Sequence, residues 1–112
     1  MSGRLPSALL ASALIRRVHD AGGFAAVLAK GDPDAGAFLL LAVGRDNVTR
    51  ILERGWGPAG GSMMIDSTPA DSSPDSVDSY WRKRRARDPD LWVIELDIPE
   101  AERFAAETLV QH

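Results

Sequence analysis

Two Asp-Pro-Asp triplets are the first candidates for a chemical role in this sequence. Each stands directly before a segment typical of a β-strand, and together they supply an acidic turn cluster of four residues: Asp32, Asp34, Asp88 and Asp90. Carboxylates brought together at strand ends could bind a hard cation such as magnesium through their oxygen atoms. Such a site would place the carboxylates of Asp34 and Asp90 within about 6 Å, close enough to shift each other's pKa.

The same triplets are also typical of tight turns, and this is the interpretation that we favour. Asp at the first position of a turn accepts a backbone N–H, and Pro at the second position presets φ. The turn interpretation predicts that Asp32 and Asp88 accept hydrogen bonds from nearby main-chain N–H groups. We therefore expect neither a metal site nor a bound cofactor.

A run of basic residues after a Tyr-Trp pair is the second candidate. Five of the 13 basic residues lie between positions 82 and 87. Basic side chains beside aromatic ones could contact phosphates or an acidic protein surface. The predicted binding residues of this basic–aromatic patch are Tyr80, Trp81, Arg82, Arg84 and Arg85. The alternative is pairing within one helix, because Asp78 lies four residues before Arg82.

An enzymatic alternative rests on Asp34 and Glu53. The predicted element order is also that of a nuclease core, which holds a metal with carboxylates at its second and third strands. Asp34 precedes the second predicted strand and Glu53 lies on the third, but Gly55 stands where that chemistry needs a lysine. A metal-dependent phosphoesterase or nuclease-like enzyme thus remains the alternative, while the sequence favours a protein without a catalytic site.

The composition is that of an ordinary globular domain. The length of 112 residues fits a single domain over residues 1–112, and a content of 45% apolar and 26% charged residues excludes disordered and collagen-like chains. A net charge of −3 argues against nucleic acid as the main partner. No apolar segment of the sequence approaches the roughly 18 residues that a membrane helix needs. Helical periodicity runs through the N-terminal segment past any leader-like cleavage site, so we expect a cytoplasmic protein.

Hydrophobic periodicity predicts the element order helix, three strands, helix, strand, helix. The predicted helices are Ser7–Asp20 with Ser7 as N-cap, a second from Ser73 to about Arg87, and a third opened by a capping box at 97–100; the predicted strands are 24–30, 37–43, 48–54, 91–97 and a short 62–66. Short loops between the first three strands predict an antiparallel meander.

The strand at 37–43 is apolar on both faces, which places it at the centre of the sheet. Its faces need cover from helices on both sides or from a second copy of the protein. The expected fold class is therefore α+β, with a mixed or antiparallel sheet of four to five strands and helices on both faces. The three tryptophans, Trp56, Trp81 and Trp92, are predicted to be core or shielding residues.

Two segments resemble a known family. Residues 31–36 read Gly-Asp-Pro-Asp-Ala-Gly, and residues 88–95 read Asp-Pro-Asp-Leu-Trp-Val-Ile-Glu. They are similar to segments of a family of small alphaproteobacterial proteins known as domain of unknown function 1491, over residues 9–97. The resemblance implies a single intracellular bacterial domain and no established activity.

The residues and the resemblance together predict a small protein-interaction or accessory domain without catalytic activity. Its expected partner is a second copy of the chain, giving a homodimer, or another protein. The enzymatic alternative through Asp34 and Glu53 stays open. The third alternative is nucleic-acid binding through the basic helix Arg82–Arg87.

Overall fold

Five strands and three helices make up residues 5–110, the part of the chain that this computed structural model describes. In chain order they are α1 (Ser7–Asp20), β1 (Phe24–Ala29), β2 (Phe38–Val43), β3 (Thr49–Trp56), β4 (Ser62–Asp66), α2 (Pro74–Arg87), β5 (Trp92–Asp97) and α3 (Ala101–Ala105), which continues as a π-helical segment over Ala106–Val110. Every predicted element is present in the predicted order. Within this part of the chain, none of the helices has the length and apolar character required to cross a membrane.

The strand order in the sheet is β1-β5-β2-β3-β4. β2, β3 and β4 form an antiparallel meander, whereas β5 pairs parallel with β2 and antiparallel with β1. The predicted meander of the first three strands is therefore wrong for β1, because β5 separates it from β2. Burial explains why β5, and not β1, lies next to β2. Four of the six residues of β5 are buried, so it belongs in the interior of the sheet, whereas β1 exposes Phe24 and Val27 and lies at the edge.

Side chains of β2 alternate between two separate cores, which confirms its central position. Leu40 and Ala42 point to the α1–α3 face of the sheet, where they pack with Leu14, Val18, Leu52, Ala105 and Leu109. Leu39 and Leu41 point to the α2 face, where they pack with Ile51, Val77, Trp81 and Val93. Helices of the same chain cover both faces, so the predicted mixed sheet with helices on both sides is confirmed.

The loop over residues 31–36 caps α1. The N–H groups of Ser7 and Ala8 donate to the carbonyl oxygens of Asp34 and Pro33, at 3.1 and 2.8 Å. The prediction of Ser7 as N-cap is therefore wrong: Pro6 takes that position, and the buried Ser7 hydroxyl donates to the carbonyl oxygen of Gly36 at 2.7 Å. A main-chain loop does here what a capping side chain does in other helices.

The predicted N-terminal cap is confirmed for α2 and wrong for α3. Ser73 caps α2, since its hydroxyl accepts the N–H of Ser76 at 3.2 Å. The capping box predicted at 97–100 does not form. Asp97 is still paired in β5, so the chain turns later, and Glu100 precedes α3 with φ +65° and no side-chain cap.

Candidate functional site

The Asp-Pro-Asp triplets form turns, as the favoured interpretation predicts. The carboxylate of Asp32 accepts the N–H groups of Asp34 and Ala35, at 3.2 and 2.8 Å. The carboxylate of Asp88 accepts the N–H of Asp90 at 3.1 Å. Over residues 5–110, no three side chains of His, Cys, Asp or Glu are grouped so that they could hold a metal ion. The acidic turn cluster therefore shapes the main chain.

The two turns also dock on each other, which sequence reasoning missed. The N–H of Asp32 donates to the carbonyl oxygen of Asp90 at 3.0 Å, and the indole N–H of Trp92 donates to the carbonyl oxygen of Asp32 at 2.7 Å. A Cβ at Gly31 or Gly36 would overlap the Asp90 carbonyl and press on the Trp92 ring. We call residues 31–36, 88–90 and Trp92 the turn junction. Its close contacts explain why this segment begins and ends with glycine.

Arg84 of the predicted basic–aromatic patch forms an ion pair within the protein. Its guanidinium donates to both carboxylate oxygens of Glu53, at 2.7 and 2.9 Å, and to the hydroxyl of Tyr80 at 2.9 Å. The two side chains are largely buried, with exposed fractions of 31% for Arg84 and 18% for Glu53. Bidentate contact of this kind is the strong form of an arginine–carboxylate pair.

The other residues of the patch also have partners in the fold. Arg82 donates to Asp78 at 2.9 Å and lies over the Trp81 ring, 4.6 Å from its centroid. Arg85 donates to the carbonyl oxygen of Lys30 at 2.9 Å. Their guanidinium groups thus point in different directions and form no single flat surface. The binding role of the patch stays a prediction.

Glu53 is held in its charged form. The hydrogen bonds from Arg84 lower the pKa of its carboxyl, and the hydroxyl of Ser67 adds to the effect, while burial acts in the opposite direction. Both oxygens face the α2 side of β3, where Arg84 occupies them. The carboxylate that the enzymatic alternative requires is therefore engaged in an ion pair of the fold.

A cleft of about 310 Å³ opens at the end of the sheet where β2 begins and β3 ends. Its walls include Leu10 of α1, Gly36 of the turn junction, Phe38 at the start of β2, and Leu109 of the π-helical segment. The Phe38 ring stacks on Trp92, with 6.0 Å between the centroids. The turn junction thus fixes one wall of the cleft, and most of the lining is apolar.

Arg54 is the cationic group of the cleft. It follows Glu53 on β3 and points to the opposite, α1–α3 face, since it pairs with Met64 of that core. Its guanidinium donates to the carbonyl oxygen of Leu109 at 3.3 Å, and no carboxylate of residues 5–110 lies within 4 Å of it. The cleft can therefore receive an apolar group and an anion side by side.

Trp56 ends β3 on the same face as Arg54 of the cleft, two residues further along the strand, and lies outside the lining itself. Its exposed fraction is 78%, whereas Trp81 and Trp92 are 8% and 4% exposed. The predicted core or shielding role is confirmed for the last two and wrong for Trp56. The signal available in the sequence was the loop that follows Trp56, residues 57–61, whose small glycine and alanine residues offer little side-chain surface to cover the ring.

Comparison with known proteins finds one family and several solved structures. The family model described as "Protein of unknown function (DUF1491)" matches residues 5–106. A crystal structure of a DUF1491 family protein from Caulobacter crescentus CB15 is 30% identical, with a TM-score of 0.76 over 90% of this chain and 94% of that one. An NMR structure of a DUF1491 family protein from the same organism is 31% identical, with a TM-score of 0.74 over 89% and 91% of the two chains.

A third structure is similar over a slightly shorter region. The solution structure of a protein from A. tumefaciens is 31% identical, with a TM-score of 0.68 over 87% of this chain and 88% of that one. None of the curated proteins matches the chain. The resemblance seen in the Gly-Asp-Pro-Asp-Ala-Gly and Asp-Pro-Asp-Leu-Trp-Val-Ile-Glu segments is thereby confirmed for the family.

Proposed function

Because the chain belongs to the DUF1491 family, whose function is unknown, we propose a function from its surface: a protein-interaction module without catalytic activity. Its docking surface is the cleft together with Trp56. The occupant is an extended apolar segment of a partner protein, which fills the cleft and packs against the indole ring. The observation that carries this proposal is the 78% exposure of Trp56, which follows the cleft residue Arg54 on the same face of β3.

Trp56 favours a protein over a small molecule as the occupant. A small molecule held in the cleft would leave the indole ring in water, whereas a peptide segment that continues along β3 would cover it. Leu5, which lines the cleft, adds exposed apolar surface on its α1 side. Grouped apolar side chains of this kind mark interaction surfaces, and tryptophan and arginine are the residues enriched where binding energy concentrates.

The contacts of Glu53 and Asp34, the two residues of the enzymatic alternative, support a protein without catalytic activity. The Glu53 carboxylate is engaged by Arg84, and Asp34 lies in a turn that the main chain and Asp32 organise. The basic–aromatic patch is a weaker candidate than the cleft, because three of its arginines are held by Asp78, Glu53 and a main-chain carbonyl. We further propose a cytoplasmic location, supported by the N-terminal segment, which forms α1 and buries Leu14 and Val18.

The experiment uses a defined apolar probe, the tripeptide Leu-Leu-Phe with an acetylated N-terminus and an amidated C-terminus. Titration into the ¹⁵N-labelled protein should give saturable shift changes at the amides of Leu10, Phe38 and Trp56. Trp56→Ala should weaken binding by about tenfold, since truncation of an interface tryptophan typically costs more than 1 kcal/mol.

Val48→Ala is the matched control, because Val48 is a half-exposed apolar residue in the loop between β2 and β3, at the other end of these strands. It should bind the probe like the wild type. The proposal would be contradicted if the probe caused no saturable shift changes, or if Trp56→Ala bound it as tightly as Val48→Ala. Self-association in sedimentation equilibrium that disappears in Trp56→Ala would make a second copy of the chain the occupant in place of a different protein.

A further inference from the structure

The arginines of the described chain differ in whether the fold provides them with a carboxylate. Those that lie within 4 Å of one are Arg17, Arg50, Arg82, Arg84 and Arg103. Arg54 is not among them, and of the arginines in residues 5–110 it alone lines the apolar cleft. Its hydrogen bond to the Leu109 carbonyl uses one of five N–H donors. The remaining donors have no hydrogen-bond partner among residues 5–110, and they can meet an anion that enters the cleft.

Among residues 5–110, no acidic side chain of the cleft lining forms an ion pair with Arg54. Glu53 is the acidic residue of the lining, but its two carboxylate oxygens accept hydrogen bonds from Arg84 and Ser67 on the opposite face of β3. The polar contribution of Ser7 is also internal, since its hydroxyl donates to the Gly36 carbonyl. The cleft therefore offers an exposed cation beside apolar walls.

We propose that the segment held in the cleft is a chain end, with its C-terminal carboxylate on Arg54 and its last apolar side chain against Phe38 and Leu109. This inference rests on the proposed function and names the partner's chemistry. A guanidinium matches a carboxylate in a bidentate geometry. At a C-terminus the carboxylate and the last side chain share one α-carbon, so both fit a site where the cation adjoins an apolar wall.

The size of the cleft agrees with a chain end more than with a segment that passes through. At about 310 Å³ it is at the small end of ligand sites, which span roughly 300–1,000 Å³. An internal Asp or Glu would also bring its carboxylate in place of an apolar side chain. Capture of a C-terminal carboxylate is a recurrent way of recognising peptides.

Three acetylated peptides test the inference: Leu-Leu-Phe as the free acid, Leu-Leu-Phe as the amide, and Leu-Glu-Phe as the amide. Dissociation constants come from ¹⁵N shift titrations of the full chain. The free acid should bind about tenfold more tightly than either amide, because a charge-assisted hydrogen bond to a guanidinium is stronger than one between neutral groups. Arg54→Gln should reduce the affinity for the acid to that for the amide and leave the amide unchanged.

Arg45→Gln is the control, because Arg45 lies at the other end of β2 and β3, in a separate cleft; it should preserve the preference for the acid. If the Leu-Leu-Phe acid bound no more tightly than the Leu-Leu-Phe amide, or no more tightly than the Leu-Glu-Phe amide, the cleft would not recognise a C-terminal carboxylate. The proposed function would be unaffected by either result. Equal loss of acid and amide in Arg54→Gln would overturn the role of Arg54. If no peptide binds, both proposals fail.

Discussion

Glu53 and Arg54 are neighbours on β3, yet the fold treats their charges in opposite ways. Glu53 points to the α2 face, where Arg84 neutralises it in a largely buried bidentate pair. Arg54 points to the α1–α3 face, where it lies in an apolar cleft with no carboxylate of residues 5–110 within 4 Å. At this point of β3 the charge on the α2 face joins α2 to the sheet, whereas the charge on the α1–α3 face is a cation presented to a cleft.

The strongest effect should come from a cleft residue that belongs to the packed part of the molecule. Gly36 lines the cleft, but a methyl group there would overlap the Asp90 carbonyl and approach Cδ1 of Trp92 to 2.9 Å. Gly36→Ala should lower the free energy of unfolding by about 3 kcal/mol, because overpacked backbone must shift. Urea denaturation measures the change.

Gly61→Ala is the control for that substitution, since a Cβ at Gly61 meets no atom within 4 Å. It should change the free energy of unfolding by no more than about 0.5 kcal/mol. Equal, small losses in both variants would mean that the turn junction tolerates a side chain. The wall that the turn junction gives the cleft would then be able to shift. The contrast between this packed wall and the exposed cation at Arg54 would weaken.

The ion pair should give the next largest loss. Arg84→Gln leaves the partly buried Glu53 carboxylate without its bidentate partner, and we expect a loss of about 2 kcal/mol in the free energy of unfolding. A double-mutant cycle with Glu53→Gln should show coupling between the two positions. Additive effects in that cycle would show that α2 is held by packing alone.

Acid should weaken the same pair in a defined pH range. The pKa of Glu53 is lowered in the folded protein by its hydrogen bonds from Arg84, so its contribution is complete above the ordinary pKa of about 4.5 and is lost as the pH falls through the lower, folded value. The stability difference between the wild type and Glu53→Gln should therefore shrink below pH 4.5. Denaturation curves measured between pH 7 and about pH 3 test the prediction. In the Arg84→Gln background the shrinkage should be smaller, and an unchanged shrinkage would contradict Arg84 as its cause.

Local patterns made most of the fold predictable from the sequence. The two apolar faces of 37–43 indicate a central strand covered on both sides, and Ser73 followed by Pro74 marks the start of α2. The position of β5 between β1 and β2 was not predictable in the same way. It depends on which strands have enough apolar surface to be buried together, and this is a property of the assembled sheet.

The site was less predictable because its chemistry depends on long-range pairing. Arg84 and Glu53 are 31 residues apart, so the sequence could not indicate that this arginine of the basic run forms an ion pair within the fold. For the same reason it could not indicate that Arg54 would have no acidic partner nearby. Alternation along β3 placed Arg50, Leu52 and Arg54 on one face, but only the packing of α1 and Leu109 makes a cleft around the last of them.

The smallest effect is expected at Arg54 itself, and it is the most decisive for the comparison. Arg54→Gln removes one hydrogen bond of 3.3 Å from an exposed side chain, so the free energy of unfolding should change by no more than about 0.5 kcal/mol. The same substitution at Arg84 should lower the free energy of unfolding by about four times that amount. Urea denaturation of both variants under identical conditions gives the ratio. A loss at Arg54 equal to that at Arg84 would make Arg54 a structural residue, and the difference between the two faces of β3 would disappear.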